Sequence, residues 1–65
     1  MFKDKIRELR IEKGLSQLEL AQKLGYTQSM VSFWERGIHE PTESVIRKTA
    51  TFFEVSTDYL LGLEE

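Results

Sequence analysis

The sequence predicts an all-α fold, a compact five-helix bundle in a single domain. Three observations carry that reading. Apolar residues recur at helical spacing, and β-branched residues never gather into the alternating run that marks a strand. The few breaks, Gly14, Gly25, Gly37, Pro41 and Gly62, fall at regular intervals. Hydroxyl residues able to cap a new helix stand at Ser16, Thr27, Thr42 and Ser56.

The first helix runs from about Phe2 to Lys13. Phe2, Ile6 and Leu9 form its apolar stripe, and Gly14 ends it. Ser16-Gln17-Leu18-Glu19 is a capping box flanked by the staple pair Leu15 and Leu20, so the second helix spans Gln17–Leu24 and stops at Gly25. Thr27 caps a third helix, stapled by Tyr26 and Val31, which reaches Arg36 before Gly37. After the loop Ile38-His39-Glu40-Pro41, Thr42 opens a fourth helix with Ile46, Ala50 and Phe53 facing inward. Ser56, stapled by Val55 and Leu60, opens a short fifth that ends at Gly62.

Sixty-five residues make one domain, 1–65, either alone or as the N-terminal part of a longer regulator. A chain this small buries only about 60% of its unfolded surface, so capping and core have to agree. No cysteine is present, which excludes disulfides, thiolate metal sites and cysteine nucleophiles. The apolar runs are a few residues long, far below the roughly 20 that span a bilayer. Met1-Phe2-Lys3-Asp4 is not the start of a signal peptide. The expectation is a cytoplasmic protein without membrane contact. Net charge is −2, unevenly spread: residues 1–13 sum to +2, 14–37 to zero and 38–65 to −4.

The informative spacing is Leu20-Ala21, Leu24-Gly25-Tyr26, Val31 and Trp34. Two helices that cross steeply through a tight turn need a small residue at the crossing, here Ala21. They also need a glycine at the turn, here Gly25, and large apolar residues to plug the angle. The unit is a helix-turn-helix over 17–36. With about 100° per residue, Gln28, Ser29, Ser32, Phe33 and Arg36 fall on one arc of the third helix, and Met30, Val31 and Trp34 on the opposite arc. The apolar arc is the core side, so the polar arc is what the helix presents.

On these residues the chain resembles the phage-repressor/Cro type of helix-turn-helix, also called XRE-type. Gly14 to Ala21, Leu24 to Gln28, Val31 to Gly37, Pro41 and the ending Val55-Ser56-Thr57-Asp58-Tyr59-Leu60-Leu61 all look like its signature. The resemblance implies a cytoplasmic transcriptional regulator, a repressor or else an activator, with repression the favoured reading, that reads an operator half-site in double-stranded DNA through the major groove. It implies a structural ion pair between Arg10 and Glu35, a phosphate contact at Gln17 and a base contact at Gln28. Thr27 and Arg36 join the phosphate contacts, while Ser29, Ser32 and Phe33 join the base contacts, Phe33 through a thymine methyl. Glu40 and Glu43 depart from the pattern, since the family often carries phosphate-binding Lys or Arg there.

Near the chain end, Tyr59, Leu61 and Leu63 stand beside the inward Leu60 and leave apolar surface for a homodimer that is weak without DNA. No metal, cofactor or small-molecule substrate is expected. The lone His39 reads as a solvated loop residue, and Ser, Asp and His fall in no triad or nucleophile-elbow context, so no enzyme is expected. A second reading is a protein-interaction module that keeps the fold and binds another protein through Phe33 or the acidic helices.

Overall fold

Side-chain hydroxyls bonded forward onto the backbone start four of the five helices. The computed structural model describes residues 1–64, with α1 at Phe2–Glu12, α2 at Gln17–Leu24, α3 at Gln28–Arg36, α4 at Glu43–Phe53 and α5 at Thr57–Leu60. No strand occurs among the described residues. Ser16 Oγ accepts the Glu19 N–H at 3.0 Å, and the Glu19 carboxylate accepts the Ser16 N–H at 2.8 Å. That backbone bond, and then the Ser16 hydroxyl, hold the Glu19 carboxyl below its ordinary value. Thr27, Thr42 and Ser56 cap α3, α4 and α5 by accepting the N–H groups of Met30, Val45 and Tyr59.

The turn between α2 and α3 requires Gly25. Its φ of +82° is left-handed, and it lets both Gly25 and Tyr26 donate to the carbonyl of Ala21, at 2.8 and 2.9 Å. Ala21 is fully buried where the two helices meet. Gly37 repeats the device after α3, and there a Cβ would also stand 3.1 Å from the Lys3 side chain.

α4 ends differently. Its last cap is Glu54 at φ 57°, ψ 45°, a left-handed position without glycine, which no feature of the sequence announces. A side chain in this conformation costs about 1–2 kcal/mol, of which a glycine returns part through its greater freedom when unfolded. Glu54→Gly is therefore expected to stabilise the domain by about 0.5–1 kcal/mol and raise Tm by a few degrees. A lower Tm on thermal unfolding would contradict this.

α2 packs on α3, α1 lies across α3 and α5, and α4 rests against α2 and α5. Ile6, Leu20, Ala21, Val31 and Leu60 are fully enclosed, with Trp34 almost so, and Phe2, Leu24, Val45, Ala50 and Phe53 complete the core. Of the stripe expected on α4, Ala50 and Phe53 are buried. Ile46 is only half-buried, whereas Val45 and Thr49 point inward. Thr49 can be fully buried because its hydroxyl donates to the Val45 carbonyl at 2.7 Å, one turn back. A hydrophobic pattern does not register such a residue. No helix among the described residues is long and apolar enough to cross a membrane.

Candidate nucleic-acid interface

α3 divides along its length. Val31 and Trp34 are buried and Met30 is half-buried against the core; Gln28, Ser29 and Arg36 are exposed, with Ser32 and Phe33 half-covered beside them. Trp34 anchors the inner side. Its ring meets Tyr26 edge-on at 5.2 Å and Phe2 at 6.4 Å, tying the turn and α1 to α3.

The outer end of α3 is held by an ionic clamp. Arg10 Nε donates to Glu35 Oε2 at 2.6 Å and Arg10 Nη2 to Oε1 at 3.0 Å, a fork-on-fork geometry. Arg10 Nη1 donates to the Leu15 carbonyl at 2.8 Å, and Gln17 Nε2 reaches Glu35 Oε1 at 3.2 Å. The Arg10 and Glu35 side chains keep only 14% and 4% of their surface. The hydrogen bond to Glu35 raises the Arg10 pKa further, against the opposing effect of burial. α1, the start of α2 and the end of α3 thus meet at one carboxylate, and the same guanidinium holds the loop before α2. The sequence offered Gln17 only as a phosphate contact; its part in the clamp follows from the crossing angle of α2 and α3.

Phe33 is more engaged than an outward arc suggests. The His39 ring meets it edge-on at 5.0 Å, and the Arg36 guanidinium lies 5.4 Å from its centre. His39 is exposed, yet it is not an isolated loop residue. The end of α3 brings it back: Gly37 N–H bonds to the Trp34 carbonyl and Ile38 N–H to that of Phe33, which reverses the chain. Thr27 is exposed at the start of α3, with its hydroxyl spent on the cap.

Of the two acidic departures, Glu43 pairs with Arg47 at 2.8 Å on the outer side of α4. At the chain end, Tyr59 is half-buried with Lys5 Nζ 4.7 Å above its ring, so α1 covers part of it. Leu61 and Leu63 remain 38% and 72% exposed.

Chemically, the outer arc is an amide, two hydroxyls, an aromatic edge and a guanidinium on a rigid rod. Gln28 can donate and accept at once, and the small serines let the helix approach a surface closely. Such an arc suits hydrogen-bond recognition of an edge.

The Helix-turn-helix family model matches residues 6–60. ImmR, an HTH-type transcriptional regulator of Bacillus subtilis (strain 168), is 36% identical over 61 residues, which are 94% of this chain and 48% of that protein. The chain spans 48% of the length of ImmR and 53% of that of YqaE, a second regulator of Bacillus subtilis (strain 168), but 31% of the activator BcrR of Enterococcus faecalis. Among solved structures, the P22 c2 repressor in complex with a synthetic operator superposes with a TM-score of 0.90 at 26% identity, covering 98% of this chain and 97% of the other. The N-terminal DNA binding domain of SinR from Bacillus subtilis gives 0.87 at 35% identity, covering 100% and 93%.

Proposed function

Because the chain belongs to the Helix-turn-helix family, we propose that it is the cytoplasmic, sequence-specific DNA-binding domain of a transcriptional repressor, without enzymatic activity. The observation that carries this reading is the polar arc of α3, held rigid by the Arg10–Glu35 clamp at one end and the Gly25 turn at the other. P22 c2, the relative in fold, was solved with an operator bound. In this reading Gln28, Ser29 and Ser32 meet base edges in the major groove, and Phe33 packs on a thymine methyl. Gln17, Thr27 and Arg36 contact phosphates, the first two from helix N-termini, where backbone N–H groups favour anions. Gln17 has a second amide N–H and its backbone N–H for this, beside its bond to Glu35. Arg10 and Glu35 serve the frame alone.

Gln28→Ala tests the readout. It is expected to weaken binding to the preferred duplex by about 1–3 kcal/mol while leaving non-specific binding nearly unchanged. Equal losses on both would make Gln28 a positioning contact and sink its assignment. Salt dependence separates DNA binding from a protein-interaction module: phosphate neutralisation makes log K fall by several units per unit of log[salt], whereas a protein-type contact gives a flat line.

One short helix reads only a few base pairs, so two copies on a two-fold operator are the proposed working unit. Leu61 and Leu63, with the free part of Tyr59, form the contact, weak alone and strengthened when adjacent half-sites hold both copies. Leu61→Glu is expected to bind a single half-site normally and to lose cooperative binding to two. Unchanged cooperativity would contradict this.

A further inference from the structure

Lysines gather on one side of this acidic chain, away from the outer arc of α3. Where the end of α2 faces α4, a groove of about 490 Å3 is lined by Lys23, Leu24, Arg47, Lys48, Thr51 and Phe52. Leu24 and the half-buried Phe52 make its floor apolar. Lys13 Nζ lies 5.4 Å from the centre of the Phe52 ring, and Lys48 Nζ lies 5.1 Å from that of Tyr26. No carboxylate among the described residues lines the groove, although the chain carries eleven Asp and Glu against nine Lys and Arg. Glu43 pairs with Arg47, but both side chains are more than 70% exposed, so the pair is weak and an incoming carboxylate can compete for Arg47.

We propose that this groove docks an acidic segment of a partner protein, one that carries an apolar side chain between its carboxylates. Charge complementarity selects the acidic residues, since three cations line the groove, Lys13 stands beside its Phe52, and no anion is among the lining groups. The floor selects the apolar one. Lysine stems and ring faces form a surface that a Leu or Phe side chain covers and that a phosphate cannot. Two further observations favour a protein segment over a nucleic-acid backbone. Lys13 and Lys48, though exposed, each lie over an aromatic ring. No residue of α3 lines the groove, and it opens at the opposite end of α2 from Gln17, roughly 10 Å away along the helix axis. A segment seated here leaves Gln28 to Arg36 uncovered, so the partner and DNA occupy different faces.

The test is a titration of the isotope-labelled chain, followed by the amide signals of each residue. The probe is a short synthetic peptide of glutamates interleaved with leucine and phenylalanine. Saturable shifts are expected at Lys23, Leu24, Arg47, Lys48, Thr51 and Phe52. The double variant Arg47→Glu/Lys48→Glu is expected to weaken the peptide at least about tenfold. The control Lys3→Glu/Arg7→Glu changes net charge equally at exposed positions and is expected to change it by no more than about twofold. Thermal unfolding of both variants confirms that each is folded. Shifts centred on α3 would overturn the proposal, because the peptide would then be imitating a nucleic-acid backbone. Equal weakening by the two double variants, or no saturable shift, would overturn it as well. The same groove signals moving on concentration of the chain alone would assign the groove to a second copy. Their movement with duplex DNA would assign it to DNA, and either result also overturns the proposal. None of these outcomes depends on whether α3 reads bases.

Discussion

Glu35→Ala is expected to destabilise the domain by about 3–5 kcal/mol, because it strands the Arg10 guanidinium in a site built for a carboxylate. Arg10 keeps 14% of its side-chain surface and makes both of its bonds to Glu35 there, at 2.6 and 3.0 Å. Its remaining bond, to the Leu15 carbonyl, does not neutralise the charge. Gln17 loses its acceptor in the same step. A domain of this length has roughly 3–10 kcal/mol of stability in all, so the variant stands near its unfolding threshold at room temperature. Urea unfolding measures the effect, and an unchanged midpoint would show that the clamp contributes nothing. The companion variant Arg10→Met/Glu35→Leu removes both charges and is expected to recover most of the loss. Glu35→Ala itself removes no DNA contact, since Glu35 faces α1 and not the outer arc.

Trp34→Ala is expected to cost a similar 3–5 kcal/mol, by a different route. Only 1% of Trp34 is exposed, and its ring is the meeting point of Phe2 from α1 and Tyr26 from the α2–α3 turn. An alanine leaves a cavity under the recognition helix and unpins both aromatic neighbours. Trp34→Phe keeps an aromatic ring and is expected to cost clearly less. A denaturation curve in which the alanine variant matches the wild type would show that the neighbouring helices close over the gap.

These two residues also show how much was legible in the sequence. Trp34 was readable because helical periodicity, the glycine at 25 and the small residue at 21 all agree on one inner face. The four hydroxyl caps were readable for the same reason, since each stands where an apolar stripe restarts. Thr49 was not, because its burial depends on a bond to its own preceding turn. Glu54 was not, because a glutamate does not announce the left-handed backbone with which α4 closes, Val55 N–H bonding back to the Ala50 carbonyl. At the interface, the polar arc of α3 follows from angular position alone. The covering of Phe33 by His39 does not, because it depends on how the chain reverses after Gly37. Gln17's bond to Glu35 is likewise a product of tertiary geometry between residues far apart in the chain.

The central claim is that α3 reads a defined DNA sequence, and selection of bound duplexes from a random library tests it most directly. The expected result is enrichment of one short site, recurring as two-fold related halves about one helical turn apart. Recovery of duplexes with no common sequence, after rounds that do enrich for binding, would contradict it.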